Sequence, residues 1–253
     1  MSRKGGPVIG SFIDALDWDE AVARLLRWGE SRESRVVNIC NVHSVVTARR
    51  DPRFARALAE ADMNTPDGAP VAWVLRRSGF RRQRRIDGPD LMLRYAAASR
   101  AASQSLYLYG GTPDTLEKLR ANLVRDYPGL AIAGMHAPPF RPLTPEEDEA
   151  DVARINASGA AVVFVGLGCP KQELWMQAHR GRVSAVMVGV GAAFDFHAGT
   201  VARAPHWMRS HGLEWLHRLA SEPRRLWRRY LVSNTLFLWH AGLQIVRGRS
   251  HAR

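Results

Sequence analysis

Apolar runs bounded by glycine and proline alternate along the chain with segments of helical spacing. Arg35-Val-Val-Asn-Ile-Cys40 reads as a strand, followed by a helix from about Ser44 to Arg50. Asp17 or Asp19 is placed to cap an earlier helix through Trp28, with Ala21, Leu25, Leu26 and Trp28 roughly on one face. Pro52 starts another helix, through Ala61. Two later segments repeat a strand, a glycine turn and a helix. Ser105–Tyr109 runs into Gly110-Gly111, with Thr112 as cap and Pro113 in first position. Ala161–Val165 runs into Gly166-Leu-Gly168-Cys-Pro170 and a helix from Lys171. Leu130–Gly134 and Ser184–Val190 read as further buried strands. The alternation predicts a parallel, Rossmann-like α/β sheet with helices on both faces, which binds ligands outside the carboxyl ends of its strands.

The texture changes at Pro205. Trp207, Leu213, Trp215, Leu216, Leu219, Leu226, Trp227 and Tyr230 recur near helical spacing, interleaved with arginine. Ser221 can cap a helix with Pro223 in its first turn, and the spacing puts Arg218, Arg225 and Arg228 on one helical face. The expected organisation is an α/β unit over residues 1–204 and a basic, tryptophan-rich helical appendage over 205–253.

Charge sharpens this division. Of a net +12, residues 201–253 carry +8 from ten Arg and two Glu, and Arg76–Arg85 carries +6 from six Arg without an acid. The other 190 residues are left at −2. Such concentration suits a surface that meets an anion: nucleic acid, anionic lipid or pyrophosphate. For Arg76–Arg84 and the C-terminal cluster alike, plain solvated charge is the alternative. The tail's alternation of Arg with Trp and Leu suits a segment lying on anionic lipid, and no RNP, zinc-finger or KH signature supports specific nucleic-acid binding. The 253 residues are 46% hydrophobic, enough for a core that needs no staples; Cys40 and Cys169 offer no disulfide framework and fit a reducing compartment. The N-terminus has no apolar run of signal-peptide length, and the most apolar tail segment, Leu231–Val246, is interrupted by Ser233, Asn234, Thr235, His240 and Gln244. A cytosolic protein with a membrane-facing tail is expected.

Several motifs carry chemistry, each beside a plainer reading. Asn64-Thr-Pro-Asp-Gly68 is a good turn, or a strand end that offers Asp67 as a general base. Gly166-Leu-Gly-Cys-Pro-Lys-Gln-Glu173 is a strand–helix turn, or a phosphate cradle with Lys171 as cation and Gln172 as neutral donor. It is neither GxGxxG nor a Walker loop, which disfavours a nicotinamide oxidoreductase. Asp195 can receive a ribose or sugar hydroxyl; His197 reads as a packed or exposed histidine. The only DxD, Asp17-Trp-Asp19, reads as a helix cap, no histidine pair has HExxH spacing, and there is no GxSxG elbow.

Taken in order, these blocks resemble the WecG/TagA/CpsF glycosyltransferase family. The matching residues are the Asn41 region, Thr65–Gly68, Arg85-Ile-Asp-Gly-Pro-Asp-Leu91, Gly166–Glu173 and Gly189–Gly199, then Arg203-Ala-Pro205, Gly212-Leu-Glu-Trp-Leu-His-Arg218 and Glu222-Pro-Arg-Arg225. They span roughly residues 35 to 230; no block is diagnostic alone, but the ordered set is. The resemblance implies a bacterial enzyme, peripheral on the cytoplasmic face of the membrane, that moves a sugar from a UDP-sugar to a polyprenyl-diphosphate-linked saccharide with inversion and without a metal or other cofactor. The sugar would be N-acetylmannosamine, its uronic acid or glucose, destined for a surface polysaccharide or cell-wall polymer. The family's catalytic base falls on Asp67. Asn41, Thr65, Gly166, Gly168, Lys171, Gln172, Glu173 and Asp195 fall on the donor side, and Arg85, Asp90, Arg218, Arg225 and Arg228 on the acceptor side. Relatives also suggest homo-oligomers that cover or displace the appendage. One departure is Ile39, where relatives often have Thr two residues before the Asn. The rival readings are an inactive UDP-binding scaffold on the membrane surface and a basic nucleic-acid-binding module.

Overall fold

The computed structural model describes residues 3–250, apart from the side chains of Arg225 and residues 247–250. In chain order the elements are β1 (Gly5–Val8), β2 (Ser11–Asp14), α1 (Trp18–Glu30), β3 (Arg35–Cys40), α2 (Val42–Arg50), α3 (Pro52–Glu60) and β4 (Met63–Pro66). There follow α4 (Ala69–Arg77), α5 (Gly88–Ser99), β5 (Ser105–Gly110), α6 (Pro113–Asp126), β6 (Ala131–His136), α7 (Pro145–Ala157), β7 (Val162–Gly166) and α8 (Lys171–Ala178). The last are β8 (Val186–Gly189), α9 (Ala193–Ala198), α10 (His206–Ser210), α11 (Glu214–Ser221) and α12 (Pro223–Ser250).

Six strands form one all-parallel sheet in the order β4-β3-β8-β7-β5-β6. Alternate residues divide between its faces. Val37, Leu106, Leu108, Phe164 and Val188 pack with α1, α5, α6 and α9 on one face. Val36, Tyr107, Tyr109, Val163 and Met187 pack with α7 and α8 on the other. The helices begin where side chains satisfy their first N–H groups: Asp17, Asn41, Thr112 and Thr144 each accept from a backbone amide one turn on. Asp17 is thus a cap, as its position in the DxD suggests.

Two expectations change, and one small sheet is new. The strand after α3 begins at Met63 and includes the Asn-Thr-Pro that reads as a turn; only Asp67-Gly68 turns. The small antiparallel β1–β2 sheet is not apparent in the sequence pattern. The appendage is broken at Glu222, so Arg218 lies on α11 and Arg228 on α12, not on one helical face. Ser221 closes α11, its hydroxyl donating to the His217 carbonyl, while the Glu222 carbonyl accepts the Leu226 N–H that opens α12. α12 packs on α2 and buries Phe237 and Ala241 with Val8, Val45 and Leu75, so the tail shares a core with the α/β unit.

Candidate active site

The ends of β3 and β4 meet at Asp67, whose N–H donates to the Cys40 carbonyl at 3.0 Å. Asn41 caps α2, accepting from the Ser44 N–H at 3.2 Å, and also hydrogen-bonds the Asp67 carboxyl. Burial, reinforced by the charges of Asp87 and Glu214, pushes that carboxyl up to about 7, although Arg85 and Asn41 pull it down. A carboxyl poised near neutrality is suited to taking up a proton. Thr65, two residues earlier, is buried and donates its hydroxyl to the Ile86 carbonyl at 3.1 Å, which ties β4 to the segment entering α5.

Beside Asp67 lies a network of three carboxylates and three arginines. Arg85 stands 3.2 Å from Asp87 and 3.0 Å from Glu214. Arg203 reaches Asp87 at 2.9 Å and also pairs with Asp90, while Arg209 stands 3.6 Å from Asp90. Burial raises the Asp90 carboxyl, but Arg203 and Arg209 outweigh it and hold the group below the usual range. Glu214 opens α11, so these pairs anchor the appendage beside Asp67.

The loop after β7 closes the opposite side. Gln172 and Glu173 are buried, Gln172 donating to Glu173 at 3.2 Å; Gln172 Oε1 and Glu173 Oε2 have no hydrogen-bond partner among the described residues. Burial raises the Glu173 carboxyl. Cys169 is hydrogen-bonded to both Glu173 and Ser44, so contacts run from Asp67 through Asn41, Ser44, Cys169 and Glu173 to Gln172. A Cβ on Gly166 would come within 2.6 Å of the Phe194 ring, so that glycine serves packing, whereas Gly168 adjoins open space at φ 77°. Lys171 is exposed at the start of α8.

A cavity of about 260 Å³ lies past the end of β8, lined by Thr115, Asp195, Phe196, Thr200, Arg218 and Glu222, among others. The Arg218 guanidinium stands 5.6 Å from the Phe196 ring centroid, and its buried Nε–H has no acceptor among the described residues. His197 is occupied by the Pro89 carbonyl at 3.0 Å. Among the described residues no group of three His, Cys, Asp or Glu is arranged to hold a metal ion.

Residues 7–251 match the model of the glycosyl transferase WecG/TagA/CpsF family. The chain belongs to that family. It is therefore a glycosyltransferase of the kind that serves cell-wall or surface polysaccharide synthesis. Within this WecG/TagA/CpsF chain, Asp67, Asn41, Arg85 and Asp90 gather at the ends of β3 and β4, and Gln172 and Glu173 join them through Cys169. Arg218 stands with Asp195 in the 260 Å³ cavity, so an arginine expected on the acceptor side meets a residue expected on the donor side. Arg228 is exposed, and the side chain of Arg225 lies outside the described residues. The inward position belongs to Arg229, whose charge acts on Glu173, Cys169, Tyr230 and His43. Burial and Arg229 lower the His43 ring to about 4, keeping it neutral at pH 7. Arg229 and His43 were not singled out from sequence, and Tyr230, Arg203 and Glu214 stand there only as pattern or motif residues without an assigned role. For Arg229 a signal exists: it falls within the buried stripe Leu226, Ser233, Phe237, Ala241, one residue from the more conspicuous Arg228.

Proposed function

We propose that this glycosyltransferase moves a sugar from a UDP-sugar to a polyprenyl-diphosphate-linked saccharide, with inversion and with Asp67 as general base. The observation that carries this reading is the Asp67 carboxyl, pushed up to about 7 beside Arg85 at the carboxyl end of a parallel sheet. The acceptor hydroxyl gives its proton to Asp67 as its oxygen attacks the anomeric carbon. The bond from that carbon to the diphosphate breaks, and UDP leaves with the electron pair. We assign the departing charge to Arg218 and to the backbone N–H groups of Gly168, Cys169 and Lys171, which can stabilise it without a metal. Asp195 is assigned to the nucleoside.

The acceptor diphosphate is assigned to the appendage, where Arg224 and Arg228 are exposed at the start of α12. The outer face of that helix carries Trp227, Leu231, Leu238, Trp239 and Val246, all exposed, and suits a peripheral position on the bilayer. No helix among the described residues is long and apolar enough to cross a membrane. A panel of UDP-sugars with short polyprenyl-diphosphate acceptors, run with and without EDTA, tests the proposal. Product from one donor, unaffected by EDTA, is expected; UDP release abolished by EDTA contradicts the metal-free step. UDP binding without transfer across the panel favours the scaffold reading.

A further inference from the structure

Residues 76–84, at the end of α4 and in the loop that follows, have no part in the chemistry above, yet they are the most basic stretch of the chain. Arg76, Arg77, Arg81, Arg82 and Arg84 are all exposed, and among the described residues none pairs with a carboxylate. The backbone that displays them is pinned. Gln83 is buried and donates to the Leu16 and Arg84 carbonyls at 2.8 and 2.7 Å, Arg76 donates to the Gln83 carbonyl at 3.0 Å, and Phe80 packs against Gly6 of β1. With Phe80 and Gln83 turned inward, Arg81, Arg82 and Arg84 are turned out. Trp73 is exposed one turn before Arg76 and Arg77 on the same face of α4. Five unneutralised guanidinium groups held close together repel one another, and an anionic surface relieves that repulsion.

The surroundings indicate which anion. The segment runs directly into Arg85, which pairs with Glu214 at the start of α11, and the first residue of α4, Ala69, touches Gly212 before α11. At its other side, the β1 strand against which Phe80 packs accepts a hydrogen bond from Gln244 of α12 at Pro7, next to Gly6, at 2.7 Å. The basic patch therefore adjoins both the Asp67 site, through Arg85, and the helix with the exposed apolar face, through β1. We propose that Arg76–Arg84 is a second membrane contact, which binds the anionic headgroups of the bilayer and turns the Asp67 site toward it, with Trp73 at the interface. This rests on the membrane-surface reading of α12.

The test is co-sedimentation of the full chain with vesicles of phosphatidylcholine alone or mixed with phosphatidylglycerol. It compares wild type, a variant with all five arginines changed to Gln, and one with all five changed to Lys. UDP affinity serves as the check that each is folded. Wild type is expected to prefer anionic vesicles, with partitioning reduced at least tenfold in the Gln variant and largely retained in the Lys variant, since each basic residue contributes on the order of a fewfold. Wild-type binding by the Gln variant overturns this inference and leaves the reading of α12 standing. No preference for anionic vesicles by wild type overturns both. A loss seen with an RNA oligomer but not with vesicles overturns it in favour of a nucleic-acid contact.

Discussion

Two carboxylates of one site, Asp90 and Asp67, are treated in opposite ways. Asp87 and Asp90 lie at the start of α5 among Arg85, Arg203 and Arg209, and Asp87 caps that helix by accepting the Asp90 N–H at 2.9 Å. Asp67, at the end of β4, is hydrogen-bonded by one amide, and burial lifts its carboxyl to about 7. Arg203 and Arg209 hold Asp90 below the usual carboxylate range, while burial and the Asp90 charge raise Asp87, which its arginines hold in place. Burial and the charges of Asp87 and Glu214 loosen the proton balance of Asp67. The site thus separates carboxylates that hold the appendage from the one left free to exchange a proton.

Substitutions on each side of that division should behave differently. The largest effect is expected from Asp67→Asn, a loss of about 1000-fold in turnover for removal of a general base, with UDP affinity in calorimetry changed by less than about twofold. Arg203→Ala should instead cost stability, about 2–3 kcal/mol by urea unfolding, as it leaves two partly buried carboxylates short of a partner. Arg218→Ala should leave the fold intact and weaken UDP binding about tenfold, the scale of one charge-assisted hydrogen bond. Arg228→Ala, on the outer face of α12, should leave UDP affinity unchanged; a loss matching that of Arg218→Ala would contradict the inward placement of Arg218 alone.

The central sheet was legible because buried parallel strands are nearly continuous apolar runs: Val162–Val165 and Val186–Val188 leave little choice. The strand β4 was not. Its Asn64 is polar and fully buried, and it is stabilised by partners distant in sequence: Asp14 accepts its N–H, Asn38 donates to its side chain, and its amide donates to the Phe12 and Leu58 carbonyls. Local pattern carries no trace of such bonds. The β1–β2 turn is equally opaque, since Ile9, a β-branched residue, adopts φ 46° there. In the candidate site, Asp67, Gln172 and Asp195 stand out as motif residues. Arg229 does not, and Glu214 stands in its motif without a role, because their place depends on how α11 and α12 dock. The break at Glu222 then resets the helical phase that would have aligned Arg218 with Arg228.

The central claim is that Asp67 takes the acceptor's proton, and the pH dependence of kcat/KM for UDP release tests it most directly. The carboxyl must be ionised to act, so the rate should climb with pH through an apparent pKa near 7 and level off above it. Arg85 holds the group down and Glu214 holds it up, so Arg85→Ala should move the limb to higher pH and Glu214→Gln to lower pH. A profile flat from about pH 5 to 8, or one that persists in Asp67→Asn, would contradict the assignment.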